Sequence, residues 1–124
     1  MTESLTQKQI QLELSKGPTR LFRNNTAQAW SGSRVVRNPD NSITIFDPRP
    51  IRSGLCVGSS DLIGWTTVNN SAIFTAIEVK SQRGRATNEQ LNFIDQVKRA
   101  GGLAGIAKSV QEARQILNDK LRRD

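Results

Sequence analysis

Three charged residues stand in otherwise apolar segments and could do chemistry together. Glu78 and Lys80 lie two residues apart in the segment AIEVK, and Asp61 precedes another apolar segment earlier in the chain. On an extended strand, Glu78 and Lys80 share one face, with Cα atoms about 6.7 Å apart. An antiparallel pairing of the two segments would bring Asp61 beside Glu78. Burying such charges costs free energy unless they pair or serve a site, so these residues are the candidates for a catalytic centre.

Two carboxylates beside a lysine suit the hydrolysis of a phosphate ester. Carboxylates bind a hard divalent cation such as Mg²⁺ or Mn²⁺, which polarises a phosphate and acidifies a bound water. The lysine then orients that water or neutralises charge that develops on the phosphoryl oxygens. A structural ion pair between Glu78 and Lys80, with Asp61 in a turn or cap, explains the same residues. The E-x-K spacing by itself favours that structural alternative.

Composition narrows the class of protein. The chain has 124 residues, which suits a single domain over residues 1–124. The absence of histidine excludes a histidine general base and any His-containing zinc site, and the single cysteine, Cys56, excludes a disulfide framework. Eighteen basic and eleven acidic residues give a formal net charge of +7. Such an excess favours a polyanionic partner, most often nucleic acid, although solubility alone also explains it.

Hydrophobic periodicity and turn residues predict an α/β protein. The expected elements, in chain order, are a helix over 3–15, extended segments 20–24 and 27–31 that pair with each other, a turn over 38–41, a strand over 42–46, a loop around Pro48 and Pro50, strands over 60–65 and 73–81, a helix over 87–100, a strand over 103–107, and a last helix from residue 109. The candidate catalytic residues therefore lie at the beginning of one strand and at the end of the next.

The helix starts carry capping signals. Capping boxes are predicted at three pairs of residues, namely Thr6–Gln9, Thr87–Gln90 and Ser109–Glu112. The helix over 87–100 also has an apolar stripe, expected to face the core, that comprises Leu91, Ile94 and Val97.

The order of motifs along the chain resembles that of a nuclease family. The sequences GSSDLIG, AIEVKS, GRATNEQ and GGLAGIAKS occur in the order found in the VRR-NUC family, of the PD-(D/E)XK nuclease superfamily, and the resemblance runs from Leu21 to Leu117. It implies a restriction-endonuclease-like PD-(D/E)XK core, with a mixed central sheet flanked by helices. It also implies a Mg²⁺- or Mn²⁺-dependent endonuclease that hydrolyses DNA phosphodiester bonds.

The resemblance assigns roles to residues of this chain. Asp61 and Glu78 would bind the metal ion together with the main-chain carbonyl of Val79, and Lys80 would be the catalytic lysine. Gln90 would lie beside the active site as a further catalytic residue. Its position in the capping box with Thr87 explains it equally well, and the two interpretations are compatible.

One position departs from the family pattern. The family supplies a further glutamate from the first helix, shortly before an Ile-Gln pair, and here the matching residue is Gln7. Glu3 or Glu13 could replace that glutamate only with a shift in register. Without that glutamate, we expect the site to use a single metal ion, or to hold a second ion weakly.

The DNA-binding candidates lie close to the proposed catalytic residues. Arg83 and Arg85 follow Lys80 on a glycine-containing loop and suit phosphate oxygens, as does Lys108. A solvated charged loop is the structural alternative for the two arginines.

The resemblance further implies a homodimer that acts on branched DNA, such as a four-way (Holliday) junction. The alternatives are a catalytically weakened protein that binds branched DNA and a restriction-type endonuclease that cuts duplex DNA. The sequence has no apolar run near the ~20 residues that cross a bilayer, and its N-terminus lacks the pattern of a secretion signal. We therefore expect a soluble cytoplasmic protein with no membrane partner. The resemblance implies a member of the small phage or bacterial type.

Overall fold

The structure is a computed structural model that describes the backbone of residues 2–123 and the side chains of residues 2–119. Three helices and eight strands follow one another in this part of the chain: α1 (Glu3–Leu14), β1 (Thr19–Arg23), β2 (Gln28–Ser31), β3 (Arg34–Arg37), β4 (Ile43–Phe46), β5 (Arg49–Arg52), β6 (Leu62–Val68), β7 (Ser71–Val79), α2 (Asn88–Arg99), β8 (Leu103–Ala107) and α3 (Val110–Arg123).

A mixed four-stranded sheet forms the centre of the protein. Its strand order is β1-β6-β7-β8; the pairs β1–β6 and β6–β7 are antiparallel, and the pair β7–β8 is parallel. The parallel pair is joined through α2, since parallel strands need a crossover connection rather than a hairpin. The predicted mixed sheet flanked by helices is therefore confirmed.

Helices cover both faces of this sheet. Helices α1 and α3 pack over one face, and their core contains Ile10, Leu14, Leu21, Leu62, Ile77, Val79, Ala107 and Ala113. Helix α2 packs over the β7–β8 half of the other face, with a smaller core of Ala76, Ile94, Val97 and Ala104. Leu91 of the predicted apolar stripe is 48% exposed, so that part of the prediction is wrong: α2 turns its first apolar residue away from the sheet.

The β6–β7 hairpin sets the register of the candidate site. Asn69 and Asn70 both have positive φ angles, 49° and 65°, which give a two-residue turn matched to the twist of the strands. Leu62 lies opposite Ile77, so the same register continued by one residue brings Asp61 opposite Glu78. The antiparallel pairing expected from the sequence is confirmed.

A ladder of buried threonines crosses the sheet beneath α1. The hydroxyl of Thr66 lies 2.9 Å from that of Thr19 on β1 and 2.7 Å from that of Thr75 on β7. All three side chains are buried. Because a polar group buried without a partner costs free energy, these matched hydroxyls oppose a slip in strand register.

The helix caps agree only in part with the predicted capping boxes. At α2 the box is complete, because Thr87 and Gln90 each accept a hydrogen bond from the other's backbone. At α1 the N-cap is Thr2, which accepts from Leu5; Thr6 lies inside the helix and donates to the carbonyl of Thr2, so that prediction is wrong.

At α3 half of the predicted box is present. The Ser109 hydroxyl accepts from the backbone N–H of Glu112. The Glu112 carboxylate, however, accepts from the N–H of Lys108 rather than from that of Ser109. Glu112 therefore provides a hydrogen-bond acceptor for the N–H of the residue before the N-cap, and this contact connects the end of β8 to α3.

Residues 25–58 form a two-stranded extension, here called the arm. Strand β2 pairs with β5, and β3 pairs with β4. The predicted pairing between residues 20–24 and 27–31 is wrong, since β1 pairs with β6. The predicted loop around Pro48 and Pro50 is also wrong, because Pro50 lies in β5 opposite Trp30. In a two-stranded ribbon half of the N–H groups point outward, so a proline is tolerated there.

Close contact between β1 and β6 requires glycine at position 64. A Cβ atom on Gly64 would lie 1.8 Å from the carbonyl oxygen of Arg20. We expect Gly64→Ala to lower the free energy of unfolding by about 3 kcal/mol, because the strands must separate to admit the methyl group. Urea denaturation followed by circular dichroism measures this change.

Gly17→Ala is the matched control, since a Cβ there would lie 4.0 Å from its nearest neighbour. This variant should stay within about 0.5 kcal/mol of the parent. Equal stability of the two variants would contradict the described β1–β6 contact.

Candidate active site

The candidate catalytic side chains meet at one end of the central sheet. Asp61 directly precedes β6, Glu78 is the penultimate residue of β7, Lys80 follows that strand, and Gln90 lies in the first turn of α2. Glu78 is the common point: its Oε1 lies 3.1 Å from the Gln90 amide nitrogen and 3.7 Å from the Lys80 ammonium. The structure therefore brings together all four residues that the sequence had singled out.

Hydrogen bonds restrain both the side chain and the main chain of Asp61. Its Oδ2 accepts a hydrogen bond of 2.9 Å from the backbone N–H of Val79. Its carbonyl oxygen accepts from the Asn24 N–H at 2.8 Å and from the Gln7 amide at 3.4 Å. These contacts fix the position of the carboxylate between the ends of β6 and β7.

Glu78 is the buried acid of the site. Its exposed fraction is 2%, and its Oε2 is a buried atom without a hydrogen-bond partner in the described part of the chain. Burial, together with the neighbouring Asp61 carboxyl group, raises the pKa of Glu78 to about 8, while the Lys80 ammonium acts in the opposite direction. At neutral pH the metal-free protein therefore keeps Glu78 protonated.

The donor set suits a small hard cation. Two neighbouring carboxyl groups, one with an oxygen that lacks a partner, offer the oxygen ligands that Mg²⁺ and Mn²⁺ prefer. Within the described residues no group of three or more His, Cys, Asp or Glu side chains converges. Mg²⁺ commonly binds through one or two carboxylates and retains several waters, so the residues present fit such an ion.

Helix α1 presents an amide, rather than a carboxylate, to the site. The side chain of Gln7 reaches the Asp61 carbonyl. Glu13 lies elsewhere: it forms ion pairs with Lys16 and Arg114, and its hydrogen bond with Lys16 lowers its pKa. Glu3 is exposed in the first turn of the helix. Of the three residues that the sequence left open, Gln7 is the one that contacts the site residues.

Gln90 combines the two roles that the sequence left open. Its Oε1 accepts the backbone N–H of Thr87, as in a capping box, and its amide nitrogen donates to Glu78. The cap thereby orients the amide toward the buried acid. The two interpretations of Gln90 hold together in this geometry.

The basic candidates lie on the loop that follows Lys80. Arg83 and Arg85 are exposed on this loop, between β7 and α2. The ammonium of Lys108, the residue after β8, donates to the carbonyl of Gln82 at 2.8 Å. This hydrogen bond holds the loop in place. These three basic residues thus lie on, or in contact with, the loop that leads from Lys80 to α2.

Asn24 is a site neighbour that the sequence did not reveal. It is buried, its amide donates to the Ser59 hydroxyl at 2.7 Å and to the Ser60 carbonyl at 2.9 Å, and its Oδ1 accepts from Leu55. It thus holds the chain that leads into Asp61. An asparagine after a short strand matches no sequence motif. Its role is revealed only by contacts such as that with Ser59, which lies 35 residues later in the chain.

Fold and site together define an α/β protein with paired carboxyl groups, a lysine and a glutamine at the end of a mixed sheet. That class is consistent with the family comparison: the chain matches the model of the VRR-NUC domain over residues 5–111. The chain therefore belongs to the VRR-NUC family, and it is a nuclease domain acting on DNA. None of the curated proteins compared with the chain matches it. Along the described helices, none has the length and apolar character needed to span a membrane.

The raised pKa of Glu78 predicts how stability depends on pH when metal is removed. The folded state keeps the Glu78 proton up to about pH 8, whereas the unfolded chain releases it near the ordinary glutamate pKa of 4.5. The contribution of this proton to stability is therefore complete below about pH 4.5 and is lost as pH rises toward 8. Urea denaturation in chelator at several pH values should show a decline on the order of a few kcal/mol over this range.

Glu78→Gln, which cannot titrate, should flatten this decline. The control Glu13→Gln removes an exposed carboxylate whose pKa is lowered, so it should leave the decline above pH 5 unchanged. The same decline in Glu78→Gln and in the parent protein would show that another group is responsible.

Proposed function

We propose that this protein is a Mg²⁺- or Mn²⁺-dependent endonuclease that hydrolyses DNA phosphodiester bonds by direct attack of water. The observation that carries the proposal is the Glu78 carboxyl group, which is buried beside Asp61. Its Oε2 has no partner, and its Oε1 faces Lys80 and Gln90. A buried acid is expensive to maintain unless it serves a site.

Asp61 and Glu78 are the proposed metal ligands, together with the main-chain carbonyl of Val79. When bound, the ion would polarise a phosphate oxygen and lower the pKa of a water. Metal binding would require ionised carboxylates, so Glu78 would have to give up its proton to hold the ion. In the metal-free protein, the hydrogen bond from the Val79 N–H keeps the Asp61 carboxylate oriented.

Lys80 and Gln90 act on either side of Glu78. The Lys80 ammonium, 14% exposed and 3.7 Å from Glu78, can neutralise charge on the phosphoryl oxygens or orient the attacking water. The Gln90 amide fixes the Glu78 carboxylate through its hydrogen bond. The Ser60 hydroxyl next to Asp61 is fully buried, so substrate cannot reach it as a nucleophile. This favours attack by water over a covalent protein intermediate.

Basic residues near the site would position the DNA. Arg83 and Arg85 present exposed guanidinium groups that match phosphate oxygens. Lys108 uses one donor on the Gln82 carbonyl and keeps two N–H groups for a phosphate. The overall charge of +7 adds a long-range attraction for the substrate.

Cleavage of labelled DNA tests the proposed mechanism. The parent protein should cut in Mg²⁺ or Mn²⁺ and stop when a chelator is added. Asp61→Asn and Lys80→Ala should each lower the cleavage rate on the order of 100-fold or more, because each loses charge stabilisation in the transition state.

Matched controls are Asp95→Asn and Lys98→Ala, at exposed positions of α2, which should cut at the parent rate. Cleavage that survives chelation, or that persists in Asp61→Asn, would falsify the mechanism. Steeply salt-dependent DNA binding without products in either metal would instead indicate a branched-DNA-binding protein without catalysis.

We further propose that a homodimer acts on branched DNA, with the four-way junction as the substrate. The resemblance to stand-alone VRR-NUC proteins supports this assignment. The described part of the chain supplies one pair of neighbouring site carboxylates, Asp61 and Glu78, so paired cuts across a junction require two copies. A two-fold axis would relate the two sites as it relates the junction arms.

Cut maps on a four-way junction and on a linear duplex of the same sequence test this substrate. We expect symmetric paired cuts near the branch point and at least about tenfold slower cutting of the duplex, a difference of about 1.4 kcal/mol in activation free energy. Sedimentation velocity should show a dimer. Cuts at fixed sequences on linear DNA would instead identify a restriction-type endonuclease.

A further inference from the structure

The strands of the arm, residues 25–58, take no part in the site contacts described above. Its strands form two small two-stranded sheets that are separate from the four-stranded sheet. Nearly every residue of these strands is exposed, on both faces of the ribbon. A two-stranded ribbon is only marginally stable by itself in water, so the exposed arm suits a surface that is covered by a partner.

The charge of the arm indicates what that partner is. Four exposed arginines lie on its strands: Arg34, Arg37, Arg49 and Arg52. The acidic residues of the arm, Asp40 and Asp47, are hydrogen-bonded to Ser42 and Ser33. Across residues 2–119, the close ion pairs do not include any of these four arginines. The guanidinium of Arg34 lies over the Phe46 ring, 4.7 Å from its centroid. The arm thus offers four guanidinium groups without a close carboxylate to an anionic partner.

The arginines are distributed over both faces of the arm. Arg34 and Arg37 are three positions apart on β3, so alternation puts them on opposite faces, and the same holds for Arg49 and Arg52 on β5. An apolar interface with a second copy of the chain would favour at least one face without such charges. Guanidinium groups on both faces instead suit a partner that surrounds the ribbon with negative charge.

The base of the arm lies against the active site. Asn24, where the arm begins, donates to the Asp61 carbonyl and accepts from Leu55 near the arm's end. Gly58 packs closely on Glu89, the neighbour of Gln90, since a Cβ there would lie 2.7 Å from the Glu89 carbonyl. DNA bound at the carboxylates therefore passes the base of the arm.

The arm has the dimensions of a groove-binding element. From Gln28 to Arg37 its outgoing side has a contour length of about 30 Å at ~3.3 Å per residue, with a bend at Ser33. The contour length is close to one turn of B-DNA, about 34 Å. The major groove, about 12 Å wide, admits a two-stranded β-ribbon between two phosphate backbones. Phosphates on both walls match arginines on both faces.

We propose that the arm is a second DNA-binding element, which lies in a groove of the substrate within about one helical turn of the cut phosphate. This inference rests on the proposed function, in which DNA is the substrate. The arm's arginines contact phosphates on the two walls of the groove. They hold the duplex in register with Asp61 and Glu78.

A charge-neutral arm variant tests the inference by DNA binding in chelator, where no cleavage occurs. The variant R34Q/R37Q/R49Q/R52Q should bind a duplex of about two turns at least tenfold more weakly than the parent. Its plot of log affinity against log salt should be shallower by up to about 3 to 4, since each lost phosphate contact removes about 0.9. Circular dichroism verifies that the variant is folded.

The control K16Q/K98Q/R99Q/R114Q removes the same charge from exposed positions on the helices and the α1–β1 turn. Its salt slope should stay close to that of the parent. An arm variant that matches this control would overturn the inference, even where the parent cuts DNA as proposed. A parent that neither binds nor cuts DNA would contradict the proposed function itself, so the two failures are distinguishable.

Trp30 gives a direct signal from the arm. The chain has two tryptophans, Trp30 and Trp65, so Trp65→Phe leaves the arm residue as the sole tryptophan emitter. Its fluorescence should change when the duplex binds, and the change should disappear in the arm variant. An unchanged signal with bound DNA would contradict contact with the arm.

Self-association is the competing role for the arm. Val35→Ser with Ile43→Ser removes two exposed apolar side chains of the arm and keeps its four arginines. If the arm contacts DNA, this variant should keep the parent salt slope and sedimentation behaviour. Loss of a dimer in this variant, together with weaker DNA binding, would show that the arm joins two protein copies instead.

Discussion

The contact between Asp61 and Glu78 is the interaction on which the arrangement of the site depends. Two carboxyl groups lie against each other at the end of the sheet, and Glu78 is buried with one unpartnered oxygen. In water such a pair would separate, because two carboxylates repel each other and are well hydrated. Here the proton on Glu78, or a bound cation in the proposed function, is what makes their proximity tolerable.

The surrounding fold supplies the restraints that keep the pair together. The Asn69–Asn70 turn fixes the β6–β7 register, and the Val79 N–H holds the Asp61 carboxylate. Helix α2 brings in Gln90, whose orientation follows from its own capping box. Each restraint comes from a different element, so the site depends on the whole central sheet and not on one loop.

The accuracy of the sequence predictions follows the range of the interactions involved. Helix α2 and strand β8 were predicted nearly to the residue, since capping residues, glycine stops and a local apolar pattern define them. In the arm, the strand predicted over 42–46 is present as β4. The pairing and the Pro48–Pro50 loop were predicted wrongly, because β2 and β5 pair across 18 to 24 residues and the proline at position 50 is acceptable only at an outward-facing ribbon position. Propensity does not encode which strand a segment will find as its partner.

The sequence by itself determined the chemical groups of the candidate site and their order: Asp61, then Glu78 and Lys80, then Gln90. It also determined their local geometry, since strand alternation and a capping box act over a few residues. Only the tertiary structure decided that Gln7, and not Glu13, approaches Asp61, and that Asn24 holds its backbone. Those outcomes depend on how α1 packs and where β1 ends, which are set by burial and pairing between distant parts of the chain.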